Sequence, residues 1–387
     1  MNNNWSEYKL GDVSILLKDG THGTHKDAES GPYLLSAQNI ENGNIFIGES
    51  DRKISKRDFD TIHRGYKLQD DDILITIVGS LGRCAILRNY NGDFTFQRSV
   101  AIVRFDKTKI LPKYAYYQFQ TSLFQKELLR RESKGAQGGV YLGELAKIKI
   151  FVPDLETQQK IVQILDAWND AIGTIKFQLI QENNLMKYLY AALLSGYKTT
   201  GKSSEYINIE LGKIANIERG KALTTKDLIP GNIPVIAGGI DSPYKHNKYT
   251  HENVITVSAS GANAGYVDFR QGKIWASDCT VIYGKEGISD TMYIFSWLIL
   301  LQRLIYQLQT GGAQPHVHAK DLAKIKISLP PLKIQQDAVL RLKTQATIIS
   351  KFEDYEESLQ KQYKYLLNHL ISGELDVSNI KLEKGKE

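Results

Sequence analysis

Hydrophobic residues recur at a regular helical spacing in two long stretches of the chain. In the first stretch they alternate four and three residues apart, which is the spacing of a coiled-coil seam. These positions are Ile161, Leu165, Trp168, Ile172, Ile175 and Leu179 in the first stretch, and Leu342, Ile349, Phe352, Leu359, Tyr363 and Leu366 in the second. A proline, Pro153 or Pro330, stands before each stretch, and a Ser-Gly pair ends it. Both stretches are therefore predicted to be single long helices.

A helix from Glu156 to Leu194 would be about 58 Å long at about 1.5 Å per residue, which is too long to be covered by one domain. Its apolar seam needs a partner, and the nearest one is the second predicted helix of the same chain. We expect the two helices to pair antiparallel if the repeats obey a pseudo-twofold axis. Glu182 and Glu356 interrupt the seam, and we interpret them as residues that fix the register. The alternative is that each helix packs only on its own domain.

The two stretches belong to an internal duplication. The hexapeptide LAKIKI occurs at 145–150 and again at 322–327, an offset of 177 residues. The same offset relates Gly135, Ala136, Gln137 and Val140 to Gly312, Ala313, Gln314 and Val317. The beginnings of the globular segments, LGDV at 10–13 and LGKI at 211–214, also correspond. Such self-similarity indicates that one structural plan occurs twice.

Each globular segment mixes strand and helix patterns. Strand-like runs at 72–78 and 254–258 lead into the small-residue turns GSLG and SGANAG, and aromatic stretches of helical length follow at 114–131 and 291–309. Both copies of LAKIKI are interpreted as strands. The predicted fold class is α+β: two mixed α/β domains separated by two long antiparallel helices, which form an intramolecular coiled coil in a pseudo-twofold repeat.

The predicted boundaries follow from these patterns. They are 1–152 for the first domain, 153–196 for the first long helix, 197–329 for the second domain with a linker at 197–206, 330–373 for the second long helix and 374–387 for a disordered tail. Residues 196–203 read GYKTTGKS, which fits a phosphate-binding P-loop pattern. A helix precedes this segment and a strand-like run follows it, which is the reverse of the P-loop context. We interpret it as a flexible linker, while a nucleotidase that depends on Lys202 is an alternative.

Composition indicates a globular protein of a reducing compartment. The hydrophobic share of 42% and the charged share of 24% are ordinary. No apolar stretch is long enough to cross a bilayer and no leader is evident, so the cytoplasm is expected and a membrane is not. Cys84 and Cys279, one in each half, fit small buried residues better than a disulfide.

The positive charge lies mainly in the globular segments. Residues 1–152 contain 22 Lys and Arg against 18 Asp and Glu, and residues 197–329 contain 15 against 11, so each carries a net charge of +4 out of the total of +6. A polyanion would therefore be bound by the globular parts rather than by the helices. A charge of +4 is also ordinary for a domain of this size.

The sequence contains no evident catalytic set. It has no glycine-rich dinucleotide turn, no GxSxG elbow and no signature of an amino-methyltransferase. The pairs His22 with His25 and His316 with His318 lack the further ligands that zinc requires, so no metal site is expected. The same histidines suit hydrogen bonding to DNA bases or phosphates. The chain is therefore expected to position something for partner enzymes.

These features together resemble the specificity subunit of Type I restriction-modification systems over nearly the whole chain. The resemblance rests on LGD and LGK at the segment starts, on the Gly-Gln turns before LAKIKI, and on the proline-led helices VPDLETQQKIVQILD and LPPLKIQQDAVLRLK, which end in LLSG and LISG. It implies two target-recognition domains that each read one half of a split double-stranded DNA site. It implies two helices that set the spacer and dock two methyltransferase subunits.

The resemblance also implies further partners and cofactors. Restriction motor-nuclease subunits would join the methyltransferases, which bind S-adenosylmethionine, and the motor subunits would bind ATP and Mg²⁺. This chain would hold no cofactor and would not be an enzyme itself. Two other functions stay open: the specificity subunit of a Type II-like methyltransferase-nuclease assembly, and a coiled-coil scaffold that does not bind DNA.

The recognition loops of this family vary, so candidate DNA contacts have to be chosen by their chemistry. We choose polar donors and acceptors near glycine-containing turns or strand ends, where side chains could enter a groove. In the first domain these are Lys18, Thr21, His22, His25, Lys26, Arg83 and Arg98. In the second domain they are Tyr244, Lys245, His246, Lys248, Ser260, Asn263, Gln314, His316 and His318.

Overall fold

The computed structural model describes residues 5–133, 138–195, 205–224, 226–238 and 243–381. The chain forms two compact units. The first unit consists of Met1–Thr174 with Tyr355–Glu387, and the second consists of Ile175–Asp354. Each unit therefore combines one globular domain with a part of each long helix.

The first globular domain is built from short strands and helices. Its strands are β1 (Ser6–Lys9), β2 (Ser14–Asp19), β3 (Tyr33–Leu35), β4 (Ile40–Glu41), β5 (Asn44–Ile45), β6 (Ile73–Thr76), β7 (Cys84–Ile86), β8 (Phe94–Phe96), β9 (Val100–Phe105) and β10 (Lys149–Val152). Its helices are α1 (Leu10–Val13), α2 (Lys56–Ile62), α3 (Pro112–Gln120), α4 (Ser122–Arg130) and α5 (Leu142–Ala146). The first long helix, α6 (Leu155–Ser195), follows directly.

The second globular domain follows the same general order. Its strands are β11 (Ile207–Glu210), β12 (Ala215–Arg219), β13 (Ile233–Ile236), β14 (Lys245–His246), β15 (His251–Ser258), β16 (Val267–Ala276), β17 (Cys279–Gly284) and β18 (Lys326–Leu329). Its helices are α7 (Leu211–Ile214), α8 (Thr291–Leu300), α9 (Gln302–Gln307) and α10 (Ala319–Leu322). The second long helix is α11 (Leu332–Ile371).

The two domains share one sheet topology. In the first, four antiparallel strands lie in the order β2-β9-β6-β7, and β3 runs parallel to β8. In the second, the order is β12-β17-β15-β16-β13-β14, and β13 runs parallel to the end of β16. The long strand β16 thus takes the place of both β7 and β8, while β2, β6 and β9 correspond to β12, β15 and β17. The predicted pair of mixed domains with one repeated plan is confirmed.

Buried helices complete the core of each domain. Phe119 of α3 and Leu298 of α8 are fully buried in the first and second unit, and a side chain of this kind contributes about 1.5 to 3 kcal/mol when it leaves water. The aromatic stretches predicted at 114–131 and 291–309 are each two helices. The first is broken at Thr121, whose Oγ1 accepts the backbone N–H of Phe124 at 3.3 Å and so caps α4.

A two-stranded antiparallel ribbon closes each domain. Strand β1 pairs with β10, and β11 pairs with β18. The interpretation of LAKIKI as a strand is wrong for its first half. In both copies the leucine lies in a short helix, α5 or α10, and only the last two residues of the hexapeptide belong to β10 or β18. The reason is a turn in the middle of the hexapeptide, closed by hydrogen bonds such as that from Ile148 N to Leu145 O at 3.1 Å.

Both predicted long helices are present, with 41 residues in α6 and 40 in α11. All twelve of the predicted seam positions are buried or half-buried. In the first unit, Asn169 Nδ2 donates to Tyr363 Oη at 3.2 Å, and Lys160 Nζ donates to the carbonyl oxygen of Ser378 at 3.1 Å. The end of α11 therefore lies beside the beginning of α6, as antiparallel pairing requires.

The second unit shows the same antiparallel direction. Gln345 Nε2 donates to Glu182 Oε2 at 2.6 Å, and further along α6 Leu193 lines a groove together with Asp337. The predicted antiparallel coiled coil is confirmed, and separate packing of each helix on its own domain is wrong. Glu356 accepts a hydrogen bond from Gln360 of its own helix at 2.5 Å, so its role in fixing register stays a prediction.

A buried glutamine joins the beginning of each long helix to its domain. Gln158 and Gln335 are both 0% exposed. Gln158 Oε1 accepts the backbone N–H of Leu111 at 2.7 Å, and its Nε2 donates to the carbonyl oxygens of Lys109 and Pro153 at 2.9 and 2.8 Å. Gln335 makes the same three kinds of contact with Asp290, Ile288 and Pro330. The direction in which each helix leaves its domain is therefore fixed by matched contacts.

The segment that follows α11 packs on the first unit. Leu375 and Val377 contact the main core of this unit, and Val377 is only 4% exposed. Gly373 ends the helix with a φ of +72°, which glycine adopts without strain. Residues 374–381, which were expected to be disordered, therefore pack on the first unit, because Leu375 and Val377 contact its hydrophobic core. Residues 382–387 lie outside the described ranges.

Some predictions fall on residues outside the described ranges. These are residues 197–204 of the predicted linker with the GYKTTGKS motif at 196–203, and Gly135, Ala136 and Gln137 of the first repeat turn. Among the helices of the described ranges, none is both long and apolar enough to cross a membrane.

Candidate nucleic-acid interface

In each domain, one glycine allows the chain to pass very close to the turn that leads into β9 or β17. Gly20 follows β2, and a Cβ atom built on it would lie 2.2 Å from the carbonyl oxygen of Phe96. Gly220 follows β12, and its Cβ would lie 2.2 Å from the carbonyl oxygen of Ser277. Only glycine permits such an approach. The chain therefore crosses the turn that leads into β9 or β17, and we call the surroundings of these two crossings the first and second corner.

The first corner brings together four of the predicted residues. Thr21 O accepts the backbone N–H of Arg98 at 3.1 Å, and Thr21 Oγ1 lies 2.8 Å from His25 Nε2. His22 Nε2 lies 2.5 Å from Asp19 Oδ2. Asp19, His22 and Arg98 line one cleft with a volume of about 300 Å³. The cleft therefore presents a carboxylate, an imidazole and a guanidinium group side by side.

The second corner brings together three of the predicted residues. Ser260 forms a β-bridge with His316, and its hydroxyl donates to Asp278 Oδ2. The rings of His316 and His318 lie nearly parallel, with centroids 6.4 Å apart. Gly238 approaches from the end of β13, since a Cβ built there would lie 2.8 Å from Ser260 O. A hydroxyl, a carboxylate and two imidazoles thus lie on neighbouring loops.

Two further candidates lie on the loops of the second corner. Asn263 belongs to the turn after Ser260, where it is half-buried and its carbonyl oxygen accepts the N–H of Tyr266 at 2.9 Å. Gln314 is exposed in the loop that leads to His316. Both remain candidates for DNA contact.

Three candidates of the first domain lie apart from the first corner. Lys18 Nζ lies over the ring of Tyr66, 4.9 Å from its centroid. Arg83 is exposed directly after the GSLG turn, and its Nη1 donates to the carbonyl oxygen of Ile40 at 3.4 Å. Lys26 is exposed in the loop after His25. Each of these cations could contact a phosphate, and the Arg83 guanidinium group could also contact a base edge.

The candidates around β14 form a separate group. Tyr244, Lys245 and Lys248 are exposed. His246 is 2% exposed, with its ring 4.4 Å from that of Trp275 and its Nδ1 accepting the N–H of Lys248 at 2.8 Å. The prediction of His246 as a DNA contact is therefore wrong, because its imidazole is part of the protein interior. The alternation along the short strand β14 directs its lysine outward and its histidine inward.

The structure adds three residues that the sequence analysis missed. Asp19 and Asp278 are acidic, whereas the predicted DNA contacts are cationic or neutral. Tyr141 lines the first cleft and is 71% exposed. The repeat offset of 177 residues relates Tyr141 to the predicted contact His318, and this signal could have found it.

The first unit links its domain to both long helices through a polar network. Tyr117 of α3 donates to Asp166 of α6, and Lys113 forms an ion pair with the same carboxylate at 2.7 Å. Asn169 Nδ2 donates to Tyr117 Oη at 3.1 Å and to Tyr363 Oη of α11 at 3.2 Å. Burial raises the pKa of the Tyr363 hydroxyl, so this group remains a neutral hydrogen-bonding partner. The domain that contains the first corner is thus attached to both long helices by defined hydrogen bonds and an ion pair.

Comparison with known families agrees with this architecture. The family profile described as Type I restriction modification DNA specificity domain matches residues 2–192 and 203–364. The chain belongs to this family, and the two matches correspond to the two copies of the repeat. The resemblance noted in the sequence is confirmed.

The chain is also similar to individual proteins of this kind. It is 24% identical to the putative type I restriction enzyme MjaX specificity subunit of Methanocaldococcus jannaschii, over 96% of this chain and 94% of that protein. It is 26% identical to the type I restriction enzyme EcoBI specificity subunit of Escherichia coli, over 56% of this chain and 48% of that protein.

Solved structures show the same fold. The S subunit of the Type I restriction-modification system of M. genitalium aligns with a TM-score of 0.60 at 17% identity, over 96% of this chain and 97% of that one. The HsdS subunit of Thermoanaerobacter tengcongensis aligns with a TM-score of 0.53 at 15% identity, over 97% and 98% of the two chains. At such identities the likeness concerns the arrangement of helices and strands.

Proposed function

We propose that this chain is the DNA-recognition subunit of a Type I restriction-modification complex, in which each globular domain reads one half of a bipartite site. One observation carries the proposal: the same topology occurs twice, with different hydrogen-bonding side chains at the same corner. Two domains of one fold would place their corners on DNA in the same way, while different side chains would select different bases. The positive charge of both domains supports contact with phosphates.

The long helices are proposed to set the spacer between the half-sites and to dock two methyltransferase subunits. Large apolar side chains on their surfaces support a docking role, because such groups are commonly covered by a partner. More than half of each side chain is exposed for Tyr355 and Tyr365 in the first unit, and for Phe177, Ile180 and Tyr188 in the second. Restriction motor subunits would join through the methyltransferases.

In this proposal the chain positions its partner enzymes on DNA and catalyses no reaction itself. The methyltransferases would bind S-adenosylmethionine and flip an adenine out of the duplex for methylation. The motor subunits would bind ATP and Mg²⁺. This chain would determine which adenines come within reach of the partners.

The test is co-expression of the full chain with the methyltransferase encoded beside it, followed by single-molecule sequencing of modified bases in the host genome. We expect methylated adenines in one motif with two defined halves and an undefined spacer. Purified complex should bind DNA that carries this motif, with an affinity that falls steeply as salt concentration rises. Indifference to DNA, with and without the methyltransferase, would support the coiled-coil scaffold instead.

A further inference from the structure

The two corners carry opposite charges at corresponding places. The residue before the glycine crossing is Asp19 in the first domain and Arg219 in the second. The turn before the next strand contains Arg98 in the first domain and Asp278 in the second. Both arginines are exposed and both aspartates are half-buried. The charge beside the glycine is therefore reversed between the corners, and the turns 97–99 and 277–278, which differ in length by one residue, also carry opposite charges.

Arg98 is held in a defined position at the first corner. Its backbone N–H donates to Thr21 O at 3.1 Å, and the close approach of Gly20 to Phe96 and Gln97 restrains the turn. The side chain lines the cleft that also contains His22. A guanidinium group only donates hydrogen bonds, and its planar arrangement of N–H groups matches a pair of acceptors.

Asp278 is held equally well at the second corner. Its backbone oxygen accepts the N–H of Ala259 at 3.3 Å, and its Oδ2 accepts the Ser260 hydroxyl. An ionised carboxylate can accept about four hydrogen bonds, so the bond from Ser260 leaves it able to accept others. A Cβ on Gly238 would lie 3.0 Å from Oδ2. Position 238 therefore places no side chain of its own against this carboxylate.

We propose that Arg98 and Asp278 are specificity-determining residues of opposite hydrogen-bonding character. Arg98 donates to O6 and N7 of a guanine in the half-site of the first domain, because these two acceptors match a guanidinium group in the major groove. Asp278 accepts from the amino group of a cytosine or an adenine in the half-site of the second domain. The inference rests on the proposed function.

The test compares variants of the full chain in complex with its methyltransferase, with methylated sites read by single-molecule sequencing. Asp278→Ala should allow other bases at one position of one half-site. Arg98→Ala should allow other bases at the position of a guanine in the other half-site. The loss of discrimination at each position should be about 5- to 150-fold, the range of a good side-chain contact to a base.

Matched controls distinguish base recognition from a general effect of removing a charge. Glu286→Gln removes an exposed carboxylate just beyond the opposite end of β17 from Asp278, and Lys107→Ala removes an exposed cation just beyond the opposite end of β9 from Arg98. Both controls should retain the motif of the unmodified chain. Thermal unfolding of each variant shows whether it is folded.

The alanine variant distinguishes base recognition from a structural role of Asp278. A purely structural role predicts that Asp278→Ala lowers the melting temperature and leaves the motif of the remaining methylation unchanged, because no base loses its hydrogen-bond acceptor. That result, or an unchanged motif in Arg98→Ala, would overturn the assignment while methylation itself persists. An unmodified chain that directs no methylation would contradict the proposed function instead.

Discussion

At the scale of single residues, buried polar side chains determine how the domains are attached. Gln158 and Gln335 each satisfy three backbone groups at the place where a long helix leaves its domain. Their neighbours Gln159 and Gln336 are exposed. In each copy the sequence shows two adjacent glutamines, and the spacing of the apolar seam residues indicates which of the two faces inward. Two of the three backbone partners of each glutamine come from a distant loop, and these two could not be predicted.

Replacing Gln158 by alanine should lower the free energy of unfolding by about 1 to 3 kcal/mol, because buried backbone groups lose their partners. Urea unfolding of the full chain measures this change. The matched control, Gln159→Ala, should change the free energy of unfolding by less than about 0.5 kcal/mol, as is usual for an exposed side chain. Equal effects of the two substitutions would contradict the role assigned to Gln158.

The two cysteines should be inert in the folded protein. Burial raises the pKa of both the Cys84 and the Cys279 thiol to about 12. Since the thiolate is the reactive form, iodoacetamide at pH 8 should leave both cysteines unmodified in the native chain and alkylate both after unfolding in urea. Mass spectrometry of the intact chain reads the result. Rapid modification of the native chain would show that these positions are accessible.

At the scale of secondary-structure elements, one polar pair distinguishes the two ends of the coiled coil. Glu182 and Gln345 form a hydrogen bond across the seam in the second unit. The repeat offset places Leu359 and Trp168 at the equivalent positions of the first unit, where both are apolar. The sequence indicated Glu182 as an interruption of the seam. Its partner became known only from the register of the two helices.

Removing one member of this pair should cost more than removing both. Gln345→Leu leaves the half-buried Glu182 carboxylate without its donor and should lower the free energy of unfolding by about 1 to 3 kcal/mol. The double variant Glu182→Leu with Gln345→Leu should recover most of this loss, because an apolar pair restores a continuous seam. A double-mutant cycle by urea unfolding measures the coupling. Strictly additive losses would argue against a direct interaction.

Other elements show where local patterns mislead. The aromatic stretch at 114–131 reads as one helix, but Thr121 caps a second one. LAKIKI reads as a strand, but its first residues end a helix. Most of the apolar residues in these segments are buried as expected, although Leu123 and Leu129 are exposed. Their backbone conformation depends on hydrogen bonds that a hydrophobic pattern does not reveal.

At the scale of the whole molecule, duplication provides two separate reading surfaces. The main apolar cluster of the first unit and that of the second have no residues in common, and each domain closes its own ribbon. A change confined to one globular domain therefore leaves the other core intact. This independence makes the proposed function testable one half-site at a time.

Exchanging residues 211–325 for the corresponding segment of another family member should alter only one half of the methylated motif. The boundaries keep β11, β18 and both long helices of this chain, so the attachment of the domain is preserved. Sequencing of modified bases identifies the motif of the chimera. If both halves of the motif changed, the two domains could not be independent readers.

The sequence alone determined the duplication, the two long helices and their apolar seam, because periodic burial leaves a direct trace in the order of apolar and polar residues. It also determined the family, through motifs that surround the helices. Only the tertiary structure decided which loop residues meet at a corner, that His246 is buried, and that Arg98 and Asp278 occupy corresponding turns. These relations depend on strand pairing and on glycine crossings between residues far apart in the chain, and such contacts follow no periodicity that a single sequence could reveal.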